Sequence, residues 1–122
     1  MSFNATVALQ QLAQANNPMN RMKAMIGAKD FLQDAENCWV RFKFAAKAIN
    51  KANMVKITLT PSDLYKVEFI RLQRKLNKEV SIPEAGIKIY DDVVTTISEI
   101  DGLFAEDLKS YFEKETGLYL SL

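Results

Sequence analysis

VKITLTPSDLYKVEFIRL, residues 55–72, holds two alternating apolar runs joined at Thr60-Pro61-Ser62-Asp63. Successive side chains of a strand point to opposite faces, so Val55, Ile57 and Leu59 share one side and Lys56, Thr58 and Thr60 the other. Pro61 lacks an amide proton, and Ser62 and Asp63 bond readily to their own backbone, so the chain turns there instead of continuing a ladder. A β-hairpin follows. In its second strand Tyr65, Val67 and Phe69 form the heavier face. Leu64, Ile70 and Leu72 fall opposite, which predicts a central strand covered on both sides over part of its length.

Toward the N-terminus, WVRFKF (39–44) alternates as cleanly, with Val40, Phe42 and Phe44 on a core face and Trp39, Arg41 and Lys43 opposite. A short strand is expected around Phe31 and Leu32, turning at Asp34-Ala35-Glu36-Asn37, and residues 45–53 read as a loop or helical turn. Residues 4–15 are rich in helix formers, with Asn4 as N-cap and Ala5, Ala8, Leu9 and Leu12 on one stripe. Asn16, Asn17 and Pro18 interrupt that helix. A second one carries Met19, Met22, Met25 and Ile26 up to a stop at Gly27. These N-terminal helices, residues 1–27, are thin in bulky apolar side chains and are expected to form an arm on a single α+β domain of residues 28–122.

Toward the C-terminus, the basic run QRKLNKEV (73–80) and the turn-forming IPEAG (82–86) predict a protruding loop or extended hairpin arm. In IYDDVVTTISEI (89–100) a helical period competes with the β-branched run Val93-Val94-Thr95-Thr96-Ile97, and the latter decides for a strand. A C-terminal helix is predicted from an N-cap at Asp101, with Phe104, Leu108, Tyr111 and Phe112 on one stripe and Gly117 as its stop. The apolar tail Leu118–Leu122 is expected to fold back. The fold class that results is α+β: an antiparallel sheet of four or five strands, N-terminal helices, and a C-terminal helix packed on one face.

At 122 residues, with 48% hydrophobic residues and 12 aromatics, the chain has material for one core without staples. The lone Cys38 has no partner for an intramolecular disulfide, and no stretch has the layout of a signal peptide or a membrane span. The expected setting is a reducing cytoplasm, with no membrane association. A net charge of +1 hides an uneven distribution: residues 39–89 hold eleven Lys/Arg against four Asp/Glu, and residues 90–122 hold two against eight. Such a split suits complementary faces between subunits, or a basic surface for an acidic partner.

Chemistry is scarce. The chain has no histidine, which removes the usual general base and the commonest transition-metal ligand. Its four glycines are isolated, so no phosphate-cradling loop exists, and the acidic pairs Asp91-Asp92 and Glu106-Asp107 read as solvated or capping residues before they read as a metal site. No catalytic residue, metal or cofactor is expected. Two kinds of partner are. A protein partner, or another copy of the chain, would use Met19, Met22, Met25, Arg74, Lys75 and Lys78. Single-stranded nucleic acid would use Trp39, Arg41, Lys43, Lys56 and Arg71, a basic and aromatic sheet face.

Three stretches, AMIGAKDF (24–31), ANMVKITLTPSDLYKVEF (52–69) and FEKETGLYLSL (112–122), resemble a set of small uncharacterised proteins encoded by bacteriophages and related mobile elements. The resemblance covers about half the chain, and residues 73–100 look like an insertion relative to shorter members. It implies context only: a bacterial host cell, and a role in binding host or phage proteins, in host takeover or in countering host defence. It transfers no functional residue.

Overall fold

In the computed structural model, which describes residues 3–77, 79 and 81–120, the alternating segments pair into one antiparallel sheet. Strands β1 (Ala28–Asp34), β2 (Trp39–Phe44), β3 (Met54–Leu59), β4 (Tyr65–Leu76) and β5 (Tyr90–Leu103) lie side by side in chain order. Helices α1 (Ala5–Ala13) and α2 (Pro18–Ile26) precede the sheet, and α3 (Leu108–Thr116) follows it. The class is α+β, and β4 is interior to the sheet as its two-sided pattern requires.

The odd-numbered face of the hairpin builds the core. Val55, Ile57 and Phe69 are fully buried, joined by Phe42 of β2, Leu12 of α1, Met22 and Ile26 of α2, and Leu108 and Phe112 of α3. The Phe112 ring lies 5.9 Å from Phe69 and 5.8 Å from Phe44, and Tyr111 lies 5.9 Å from Phe69. The hairpin and the C-terminal helix therefore cover each other. Helix α1 contributes Ala8, Leu9 and Leu12 to this same core. The Tyr65 hydroxyl donates to Gln11 Oε1 at 2.6 Å, pinning α1 to β4.

Local signals act where the residues place them. Asn4 Oδ1 accepts from the amides of Thr6 and Val7, and Gly27 ends α2 at φ +68°, where a Cβ would lie 2.9 Å from that of Ala45. The turn after Leu59 is closed by Thr60 N–H on the Leu64 carbonyl at 2.8 Å and by Thr60 Oγ1 on the same oxygen at 2.9 Å. Past Gly117 the chain folds back as far as the described residues go: Leu120 is fully buried, and its amide donates to Glu113 Oε2 at 2.8 Å. Residues 121–122 of the apolar tail lie outside the described residues.

The start of the C-terminal helix needs correction. Asp101 is not its N-cap but a residue of β5, its carboxylate accepting from the Gly102 amide at 2.8 Å. The strand runs on to Leu103, paired with Tyr65, because shifts in the β4–β5 register let β5 follow β4 along its whole length. A turn of 3-10 helix, Ala105–Asp107, then leads into α3. Phe104 consequently sits in extended backbone and is 57% exposed, outside the helical stripe that Leu108 and Phe112 do share.

Candidate functional site

β4 outruns its neighbour. β3 pairs with Tyr65–Ile70 only, whereas β5 pairs with β4 as far as Leu76↔Tyr90. One more rung is improvised by a side chain: Asn53 Oδ1 accepts from the Leu72 amide and Asn53 Nδ2 donates to the Leu72 carbonyl, both at 2.8 Å. Arg71 braces the same root by donating from Nη1 to the Lys51 carbonyl at 2.8 Å. From Gln73 onward the ribbon has two strands and, among the described residues, no third, a form that alone is marginally stable in water.

Its tip is held by local bonds. Ile82 and Ile87 exchange backbone hydrogen bonds of 2.8 and 2.9 Å around the 3-10 turn Pro83–Ala85, and Ser81 Oγ accepts from the Ile89 amide at 2.9 Å. The expected extended arm is thus a hairpin of which β4 and β5 are the stem.

The register assigns the arm's faces, since residues directly opposite in an antiparallel pair share a side. Leu72↔Val94, Arg74↔Asp92 and Leu76↔Tyr90 lie on the side away from the helices, and Arg71↔Thr95, Gln73↔Val93 and Lys75↔Asp91 on the other. The first set is the apolar one. It continues into the body through Ile70 and its partner Met54, which are 7% and 5% exposed yet stand apart from the main core. Val94 at 63%, Tyr90 at 43% and Leu76 at 38% exposure leave the outer part of this strip open. Within it the Arg74 guanidinium lies 5.0 Å from the centre of the Tyr90 ring.

On the body, the same helix-free face carries the residues expected to meet nucleic acid. Trp39, Arg41, Lys43 and Lys56 come together there, but the cations are engaged: Lys56 Nζ and Arg41 Cζ lie 4.8 and 5.6 Å from the Trp39 ring centre. Lys43 pairs with Asp30 and Lys66 with Glu99, each at 3.6 Å, and Glu68 stands between Lys56 and Glu99 in register. Arg71 does not join them, because it lies on the helix side of the sheet and is bound to the Lys51 carbonyl.

The residues expected to meet a protein partner do not form one surface either. Met22 is fully buried in the core, which removes it from any docking face in this conformation. Met19, 47% exposed, borders Phe31, Leu32 and Val40, whereas Met25 borders Gln10, Gln14 and Arg21 in an open groove between α1 and α2. α2 packs beside β1, the edge of the sheet opposite β5, so the methionines and the arm occupy opposite ends. Arg74 and Lys75 both stand on the arm but on its two different faces, and Lys78 lies outside the described residues. Sequence reasoning missed Leu76, Tyr90 and Val94. Their alternation with Arg74 and Asp92 was visible, but the register that sets them on one side was not.

Perturbed ionisable groups do not gather into a reaction centre. Hydrogen bonds from the Asn37 side chain and backbone hold Asp34 below the usual carboxylate range, and burial pushes the Tyr65 and Tyr111 phenols up. Among the described residues no three His, Cys, Asp or Glu side chains cluster as metal ligands, and no helix is long and apolar enough to cross a membrane. Compared with protein-family models, curated proteins and solved structures, the chain matches none.

Proposed function

We propose that this chain is a non-enzymatic binding module whose working element is the β4–β5 arm. One observation carries the proposal: of the large apolar side chains left exposed, Leu76, Tyr90 and Val94 lie on one face of the arm and Ile82, Ile87 and Ile89 lie toward its tip, and none of the arm's described residues from 72 to 94 belongs to the core. Scattered exposed apolar residues are ordinary on a soluble domain, whereas a contiguous set on a projecting element marks a surface that another molecule covers. The resemblance of residues 24–31, 52–69 and 112–122 to bacteriophage and mobile-element proteins supports a setting in a bacterial cytoplasm, with a host or phage protein, or another copy of the chain, as the partner.

The Trp39, Arg41 and Lys56 cluster supports a second reading, single-stranded nucleic-acid binding, in which phosphates and a base displace the cations from the indole. Affinity capture from host lysate, with and without nuclease, separates the two. A protein retained by the wild type after nuclease and lost with Val94→Asp supports the arm. Retention that vanishes with nuclease and with Trp39→Ala supports the second reading, and capture indifferent to both substitutions refutes both.

A further inference from the structure

Resting on the arm as docking element, we infer that the molecule covering its apolar face is a second copy of this chain, the two arms lying face to face about a two-fold axis along the ribbon. The charges on that face select the partner. Between the Leu72↔Val94 and Leu76↔Tyr90 rungs lies a single charged rung, Arg74 on β4 and Asp92 on β5. Turning a copy over about an axis parallel to the ribbon exchanges the two strands. Arg74 of one copy then stands opposite Asp92 of the other, twice, while Leu76 meets Tyr90 and Leu72 meets Val94. Such a face is its own complement in charge as well as in polarity, which is what an isologous interface requires.

The geometry leaves room for it. Exchanging the strands sends the two bodies to opposite sides of the axis, because β1, β2 and β3 all lie on the β4 side and, among the described residues, no strand lies beyond β5. The opposite face of the arm is a poor alternative. It presents Arg71, Gln73, Lys75, Asp91 and Thr95 around Val93, with Arg71 committed to the Lys51 carbonyl and Asp91 to the Asn77 side chain at 2.7 Å.

Sedimentation equilibrium on the full chain tests this, with three variants of the exposed face and circular dichroism to check that each is folded. The wild type is expected to be a dimer, and Val94→Asp a folded monomer. Arg74→Asp and Asp92→Arg should each weaken self-association by about tenfold or more, since like charges then face each other twice. Mixed together, those two variants should form a heterodimer of near wild-type affinity: one brings two carboxylates to the charged rung and the other two guanidiniums. That mixture separates pairing between copies from the pairing of Arg74 with its own Asp92. A wild-type chain that stays monomeric, a dimer indifferent to Val94→Asp, or a mixture that forms no heterodimer overturns the inference. If the wild type is monomeric but capture of a protein still depends on Val94, the arm remains the docking element and only the second copy is excluded; if capture is also indifferent, both fail.

Discussion

The Asn53 carboxamide holds the backbone of Leu72 by both its amide and its carbonyl, at 2.8 Å each. It takes the place of the next residue of β3 and marks the last point at which the long hairpin is supported by a third strand. Everything beyond it depends on pairing between β4 and β5 alone. Replacing Asn53 by Ala leaves two half-buried backbone groups to find water, at a cost of about 1–3 kcal/mol. Hydrogen exchange at the Leu72 amide should accelerate markedly in Asn53→Ala, and by more than the amides of β2, which follow only the overall loss of stability. Unchanged protection at Leu72 would show that the carboxamide is incidental.

The packing of α3 on the hairpin rests on Phe112, fully buried between Phe44 and Phe69. Phe112→Ala should destabilise the chain by about 3–5 kcal/mol in chemical denaturation. Phe104→Ala, at a position 57% exposed, should stay within about 0.5 kcal/mol of the wild type. Equal losses at both positions would restore the helical stripe that the strand's extension to Leu103 displaced.

Tyr65 joins burial to a hydrogen bond on Gln11, and burial raises its phenol above the ordinary 10.0. A group whose pKa is raised by folding lends stability that is complete below its unfolded value and is lost as pH climbs through the folded one. Stability should therefore fall above about pH 10 as Tyr65 is forced to ionise. Tyr65→Phe should lose about 0.5–1.5 kcal/mol at neutral pH, and its loss of stability above pH 10 should be shallower. Ultraviolet titration of the phenolate band, wild type against variant, reads the late-ionising group directly.

Gly117 closes α3 at φ +71°, and a Cβ there would sit 3.1 Å from Ile49 Cγ2. The same corner is tied by the Ile49 amide on the Thr116 carbonyl at 2.8 Å. Gly117→Ala therefore combines a left-handed backbone with a tight contact and should cost about 1–2 kcal/mol or more in thermal or denaturant unfolding. An unchanged midpoint would mean that the corner yields freely.

Much of this was legible because local chemistry and tertiary demand agree. The alternation of residues 39–44 and 55–69, the caps Asn4, Gly27 and Gly117, and the β-branched run Val93–Ile97 each specify an element without knowledge of the rest. Asp101 misled because a capping side chain also serves in a strand, and the ladder opposite Tyr65 outweighs a helix start that would have to give it up. The arm's surface was hidden for a different reason. Alternation tells which side chains share a face only within one strand, and the pairing of Leu72 with Val94 depends on a shift at Phe69/Ile70 that no local residue announces. The methionines divide between core and surface: equal spacing along α2 set them on one stripe, but a helix packed against both α1 and β1 turns Met22 inward as core filling and parts Met19 from Met25.

The most direct test removes the arm. Leu72 and Val94 are opposite each other, so a two-residue Asn-Gly turn can replace residues 73–93 without disturbing the body. If the arm is a docking element and no part of the core, the shortened chain folds with a thermal midpoint close to that of the full chain, and loses both self-association and partner capture. A shortened chain that fails to fold, or that still associates and captures as before, contradicts that role.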